Sequence, residues 1–240
     1  MSQVIPVFKR EFLAYFRSPV AYVFLIVFLV ASVGLAFFVG QFFKTNQASL
    51  ESFFVFHPWL YLFLIPAVAM RLWAEEKRGG TIELLFTLPL TTVEAVLAKF
   101  FAAWSFLTIG LLLTIPMAFT VSWLGDPDWG VIVGGYLAST VLAGACLSVC
   151  TLISALTKNQ VIAFVLGVLV ILVLTFLGWS VFNQFLSGFL PVAAVDFTAN
   201  LGFIPHYEAM AKGIMDPRDL AYYGSVIALS LALNVAALER

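Results

Sequence analysis

The sequence predicts an all-α integral membrane protein, a bundle of about six transmembrane helices, on three observations: charges are few, the gaps between them are long, and the gaps match a bilayer in length. Of 240 residues, 62% are hydrophobic and 10% charged. A soluble domain carries about 25% charged residues, because its outside must face water. Most of this outside must face lipid. No charged residue lies between Arg17 and Lys44, Glu51 and Arg71, Lys99 and Asp126, Asp128 and Lys158, Lys158 and Asp196, or Asp219 and Glu239. Each gap holds nearly the ~20 apolar residues that cross a ~30 Å hydrocarbon core at ~1.5 Å per residue.

The spans fall at about 19–42, 53–73, 101–123, 131–156, 161–183 and 220–238. Nothing alternates with period two, which excludes a small barrel. The first apolar run is longer than a signal-peptide core and ends in Phe and Gln rather than at small residues, so it reads as a span. The formal net charge of −1 gives no reason to expect nucleic acid.

Basic residues set the orientation. With the N-terminus inside, Lys9, Arg10, Arg17, Arg71, Lys77, Arg78, Lys99, Lys158 and Arg240 are cytoplasmic, and Lys44, Lys212 and Arg218 are outside. Both termini are therefore expected in the cytoplasm. Trp123 and Trp129 flank the outer turn 125–128, and Trp73 and Trp104 read as anchors at the inner boundary. Cys146 and Cys150 stand one helical turn apart in the fourth span, a poor geometry for a disulfide. They read as small packing residues beside the small-residue row Gly135, Ser139 and Ala143.

Three segments are not spans. Residues 3–17 mix Val4, Val7, Phe8, Phe12 and Tyr15 with Lys9, Arg10, Glu11 and Arg17, the spacing of an amphipathic helix lying along the inner leaflet. Ser18-Pro19 turns it into the first span. From Arg71 to Pro89 a charged run leaves the second span, Gly79-Gly80 allows a turn, and a short helix of about 81–88 precedes Pro89. Thr91 and Glu94 then form a capping box. Ile82, Leu85 and Phe86 make an apolar knob rimmed by Glu75, Glu76, Arg78 and Glu83, which suits either a docking element or burial against the chain's own spans. Residues 184–219 are too long for a simple connection. Breaks at Gly188, Pro191, Gly202 and Pro205 suggest short helices in the outer leaflet, with one more at His206-Tyr207-Glu208 through Lys212, stopped by Gly213.

The missing chemistry is informative. The spans carry no ionisable residue at depth other than His57, so ion coupling and a charged-ring pore are disfavoured. No Gly-Lys pair is present, hence no phosphate loop. No metal-ligand spacing or serine elbow stands out either. A compact bundle without its own energy source and with a cytoplasmic knob takes energy from a soluble partner.

Four stretches in order along the chain resemble the permease subunits of ABC-2 type ATP-binding-cassette transporters, most closely the gliding-motility GldF-like and NosY-like branch. They are Lys9 to Pro19, Arg71 to Pro89, Ser154 to Val161, and His206 to Asp219 by way of Gly213 and Asp216. The second, with its E-E-x-x-x-G-T-x-E-L-L-x-T-L-P pattern, is the most specific.

The resemblance implies a multi-pass protein of the bacterial cytoplasmic (inner) membrane, pairing with a second copy of itself to give twelve spans. It implies docking on separate ABC-type ATPase subunits, which hold the ATP and Mg. The docking surface would comprise Glu75, Glu76, Arg78, Gly80, Thr81, Ile82, Glu83, Leu85 and Phe86, with the turn at Lys158, Asn159 and Gln160 as a second contact. Family members export varied cargo or transmit force to an outer-face partner, so a large extracytoplasmic auxiliary subunit is a further expectation. The alternative reading is a non-transporting scaffold of a cell-envelope complex.

Overall fold

The computed structural model describes residues 4–44, 48–82 and 90–239. Among these residues the regular structure is helical, and six stretches are long and apolar enough to cross a membrane: Pro19–Val39, Glu51–Gly79, Thr92–Leu124, Trp129–Leu156, Gln160–Leu177 and Pro217–Leu238. Helix α1 (Val4–Arg17) leads through Ser18 into α2 (Pro19–Gly34), which continues as one π turn, Leu35–Val39. Pro19 fits there because the first turn of a helix needs no N–H donor.

The second stretch is broken into α3 (Glu51–Phe54), α4 (His57–Ala69) and α5 (Ala74–Gly79). Gly80 ends α5 at φ 69°, a left-handed conformation that side chains disfavour. The third stretch is α6 (Thr92–Leu112) and α7 (Ile115–Leu124). Pro116, near the start of α7, cannot donate backward, and Thr114 Oγ1 donates to the Leu111 carbonyl at 2.6 Å where the ladder is interrupted.

Helix α8 (Trp129–Leu156) is the axis of the bundle and packs on α13, α4, α12, α9 and α6. Its apolar window is 72% buried, against 22% for the first span, 22% for the fifth and 17% for the sixth. So α8 is the core, while α2, α9 and α13 offer apolar faces to lipid or to a partner. Asp128 starts α8 by accepting from Gly130 N at 2.8 Å.

Helix α9 (Gln160–Leu177) stops before residue 183, the end that hydropathy suggested. The chain turns at Gly178 because that backbone lies against Gly202, and a Cβ on Gly202 would collide with it. Three short helices follow, α10 (Ser180–Ser187), α11 (Val192–Asn200) and α12 (Phe203–Ala211), before α13 (Pro217–Leu238). None of the three is long enough to span a bilayer.

One reading from sequence needs correction. Trp73 is not a lipid-facing anchor: it is 1% exposed, inside the main apolar core. The helix that carries the third apolar stretch begins at Thr92, where the capping box predicts, and its first turns bury Lys99, 3% exposed, against neighbouring elements. Its carboxylate partners come from other elements, so no local pattern marks it.

Candidate functional site

The α1 end of the bundle gathers charges that are far apart in sequence. The capping box is formed as the sequence predicts: Glu94 N donates to Thr91 Oγ1, and Thr91 N donates to Glu94 Oε2, both at 3.2 Å. It fixes the start of α6, and Lys99 follows about two turns later, on the face toward α1 and α5. Lys99 Nζ donates to Glu76 Oε1 at 2.6 Å and lies 3.5 Å from Glu11 Oε2 and 5.1 Å from the centre of the Trp73 ring. One buried cation thus joins α1, α5 and α6. The burial of Glu11 would push its carboxyl up, but the Lys99 and Arg10 cations outweigh this and hold it below the ordinary range.

Aromatic packing seats α1 on the same helix. Tyr15 stacks on Phe106 at 4.8 Å and Phe16 meets that ring edge-on at 5.9 Å. The other face of α1 exposes Lys9, Arg10 and Arg17 beside Ile5 and Leu13. Beside the cluster lies a cavity of about 470 Å³, lined by Glu11, Tyr15, Phe24, Arg71 and Lys99 among others.

Buried Ser154, near the end of α8, closes the break between α4 and α5. Its Oγ accepts from Trp73 N at 3.2 Å and Ala74 N at 3.1 Å, and donates to the Met70 carbonyl at 3.1 Å. Lys77 Nζ donates to the Ala155 carbonyl. The α8 end and the segment entering residue 80 are therefore tied by four hydrogen bonds.

Of the sequence-predicted docking residues, Glu75, Arg78, Gly80, Thr81, Lys158 and Asn159 are exposed, and Gln160 is half-buried. Glu76 turns inward to Lys99, and Ile82 is half-buried against the chain's own core. Glu83, Leu85 and Phe86, with most of the 81–88 helix expected from sequence, lie outside the described residues. The turn at 157–159 also serves as a helix start: Val161 N donates to Asn159 Oδ1 at 2.9 Å.

At the far end, His206 lies between Asp219 Oδ1, 2.7 Å from Nδ1, and the Asn200 carbonyl, 3.0 Å from Nε2, and stacks on Tyr222 at 4.1 Å. Tyr207 is buried. Glu208, Lys212 and Gly213 are exposed, and Asp216 caps α13 by accepting from Arg218 N at 2.8 Å. Sequence reasoning missed Lys99, Ser154 and Ser139. Lone hydroxyls in apolar helices carry no periodic signal, and only the placement of Lys99 two turns into the helix that the capping box opens hinted at its role.

None of the curated proteins matches the chain. The model of one family, described as ABC-2 family transporter protein, matches residues 52–196, from α3 to the middle of α11. That family is a membrane permease component of ABC transporters, not itself an enzyme, and it implies partnership with ABC ATPase subunits. The match covers well over half of the chain, the connected helices α4, α5, α6 and α8 included: this multi-pass membrane protein belongs to the ABC-2 family of transporter proteins.

Proposed function

We propose that the chain is the membrane-spanning permease subunit of an ATP-driven exporter or mechanical transducer, of the GldF-like and NosY-like kind, working as a pair of identical chains in the bacterial cytoplasmic membrane. Both termini face the cytoplasm. Separate ATPase subunits hold the ATP and Mg, dock on the segment 81–88 and the turn at Lys158, Asn159 and Gln160, and move the bundle by closing on each other. A large extracytoplasmic subunit receives the motion or the cargo.

One observation carries this reading. The helices on either side of residues 80–91 are joined by one buried cation, Glu76 of α5 pairing with Lys99 of α6, and Glu11 adds α1 to the pair. A push on that segment reaches three helices at once, and through Ser154 a fourth. A non-transporting scaffold has no need of such a junction.

The test is purification from native membranes under mild detergent. An ABC-type ATPase is expected to co-purify, and the chain freed of it is expected to show no ATP turnover. Recovery without any ATPase would support the scaffold instead. Topology has its own check: cysteines replacing Ser49 and Asp126 should react with an impermeant thiol reagent in intact cells, and one replacing Gly79 should not. Labelling at 79 would invert the orientation.

A further inference from the structure

A second polar junction lies in the far half of the bundle, and no docking role accounts for it. His57, Ser139 and Tyr207, from α4, α8 and α12, are 0%, 0% and 2% exposed. Tyr207 Oη donates to the Phe54 carbonyl at 2.7 Å, Ser139 Oγ lies 3.2 Å from Tyr207 Oη, and His57 Nδ1 lies 2.8 Å from Ser139 Oγ. His57 Nε2 is buried without a partner. Its ring neighbours are Phe53, edge-on at 4.7 Å, Phe54, edge-on at 5.5 Å, and Tyr61 and Phe28, stacked at 5.7 and 6.0 Å.

Counting protons orders the chain. A carbonyl can only accept, so the single Tyr207 proton goes to Phe54. Ser139 must then donate to Tyr207, which uses its only proton. The remaining contact, at 2.8 Å, is a hydrogen bond only if His57 donates from Nδ1. The other tautomer leaves one of the Ser139 contacts empty and strands a buried Nε2–H donor. An imidazolium would be an uncompensated charge among aromatic rings.

We infer that His57 is fixed as the neutral Nδ1–H tautomer and acts as a positioning residue, heading a one-way chain from His57 to Ser139, Tyr207 and the Phe54 carbonyl that locks α12 to α3–α4 and α8. The consequence for function rests on the permease reading. Helix α8 is pinned by Ser139 to the far-end helix α12 and by Ser154 to the segment leading into residue 80. Motion received at one end of α8 is therefore delivered to α12 at the other.

The test uses the full chain in lipid nanodiscs with ¹⁵N-labelled histidine. Only two imidazoles are present, His57 and His206, and the signals lost in His57→Asn identify the first. A protonated Nδ1 and a bare Nε2 are expected at His57; a protonated Nε2 overturns the inference whatever the variants do. Hydrogen exchange of the amides of residues 203–211 supplies the second readout. Tyr207→Phe and Ser139→Ala should speed it roughly 2- to 10-fold, the worth of a hydrogen bond. His57→Asn, whose amide N–H falls where Nδ1–H stood, should exchange more slowly than His57→Gln, whose amide reaches toward Nε2. Equal exchange in these two variants overturns the inference. No ATPase enters either measurement, so failure here is distinct from failure to find a partner.

Discussion

Neutralising both carboxylates of the inner junction, with Glu11→Gln and Glu76→Gln together, should destabilise the chain by about 3–5 kcal/mol, because it strands the Lys99 ammonium in the interior. The comparison is with Lys99→Met, which removes the buried charge and leaves two carboxylates that are 18% and 21% exposed and can draw in water. That single change should cost less. Adding Lys99→Met to the double variant should recover most of the loss, since an apolar side chain of similar length then fills the site. Thermal unfolding in detergent, followed by tryptophan fluorescence, ranks the three. If the double variant is no less stable than Lys99→Met, the junction is a surface pair of little worth.

The same junction sets a direction for pH. The Glu11 carboxyl is held below its ordinary value of 4.5 by Lys99 and Arg10. Unfolded chains therefore take up the proton first as pH falls, and stability is lost through and below that value. Above it the contribution is complete, so the parent should show no Glu11-dependent change in neutral solution. Glu11→Gln should flatten the acid limb.

How much of this was legible in the sequence depends on the range of the signal. The six spans follow from hydropathy, because lipid imposes a length on each helix by itself. The capping box at Thr91 and Glu94 was legible for the same reason, being a matter of four consecutive residues. The Lys99 junction was not. Its three members come from α1, α5 and α6, far apart in sequence, and only packing brings them together. Trp73 shows the converse error: a residue type that favours interfaces is buried here, because the break at Met70–Trp73 turns it under α8 and Ser154 holds its N–H. His57 was visible as the lone histidine of the spans, but Ser139 lies 82 residues beyond it and Tyr207 a further 68 beyond Ser139, out of reach of any local pattern. The E-E-x-x-x-G-T-x-E-L-L-x-T-L-P pattern from Glu75 to Pro89 was legible too, being local, but the docking role it implies stays an expectation.

Leu85→Ala and Phe86→Ala should each weaken assembly with the ATPase by about 1.5–3 kcal/mol, the worth of one buried apolar side chain, and together by roughly a hundredfold or more. Glu83→Ala should change recovery little, because an ion pair at the rim of an interface is worth about 0–1 kcal/mol. Ile82→Ala is the internal control. Its side chain already packs against the chain's own core, so this substitution should lower the stability of the chain itself, before any partner is added. Leu85→Ala and Phe86→Ala should leave membrane insertion and unfolding temperature close to the parent. The measurement is ATPase recovered per permease at matched membrane levels. Should Leu85→Ala and Phe86→Ala instead destabilise the isolated chain as Ile82→Ala does, the knob packs inward; and normal ATPase recovery with both combined would mean that another surface couples the two proteins.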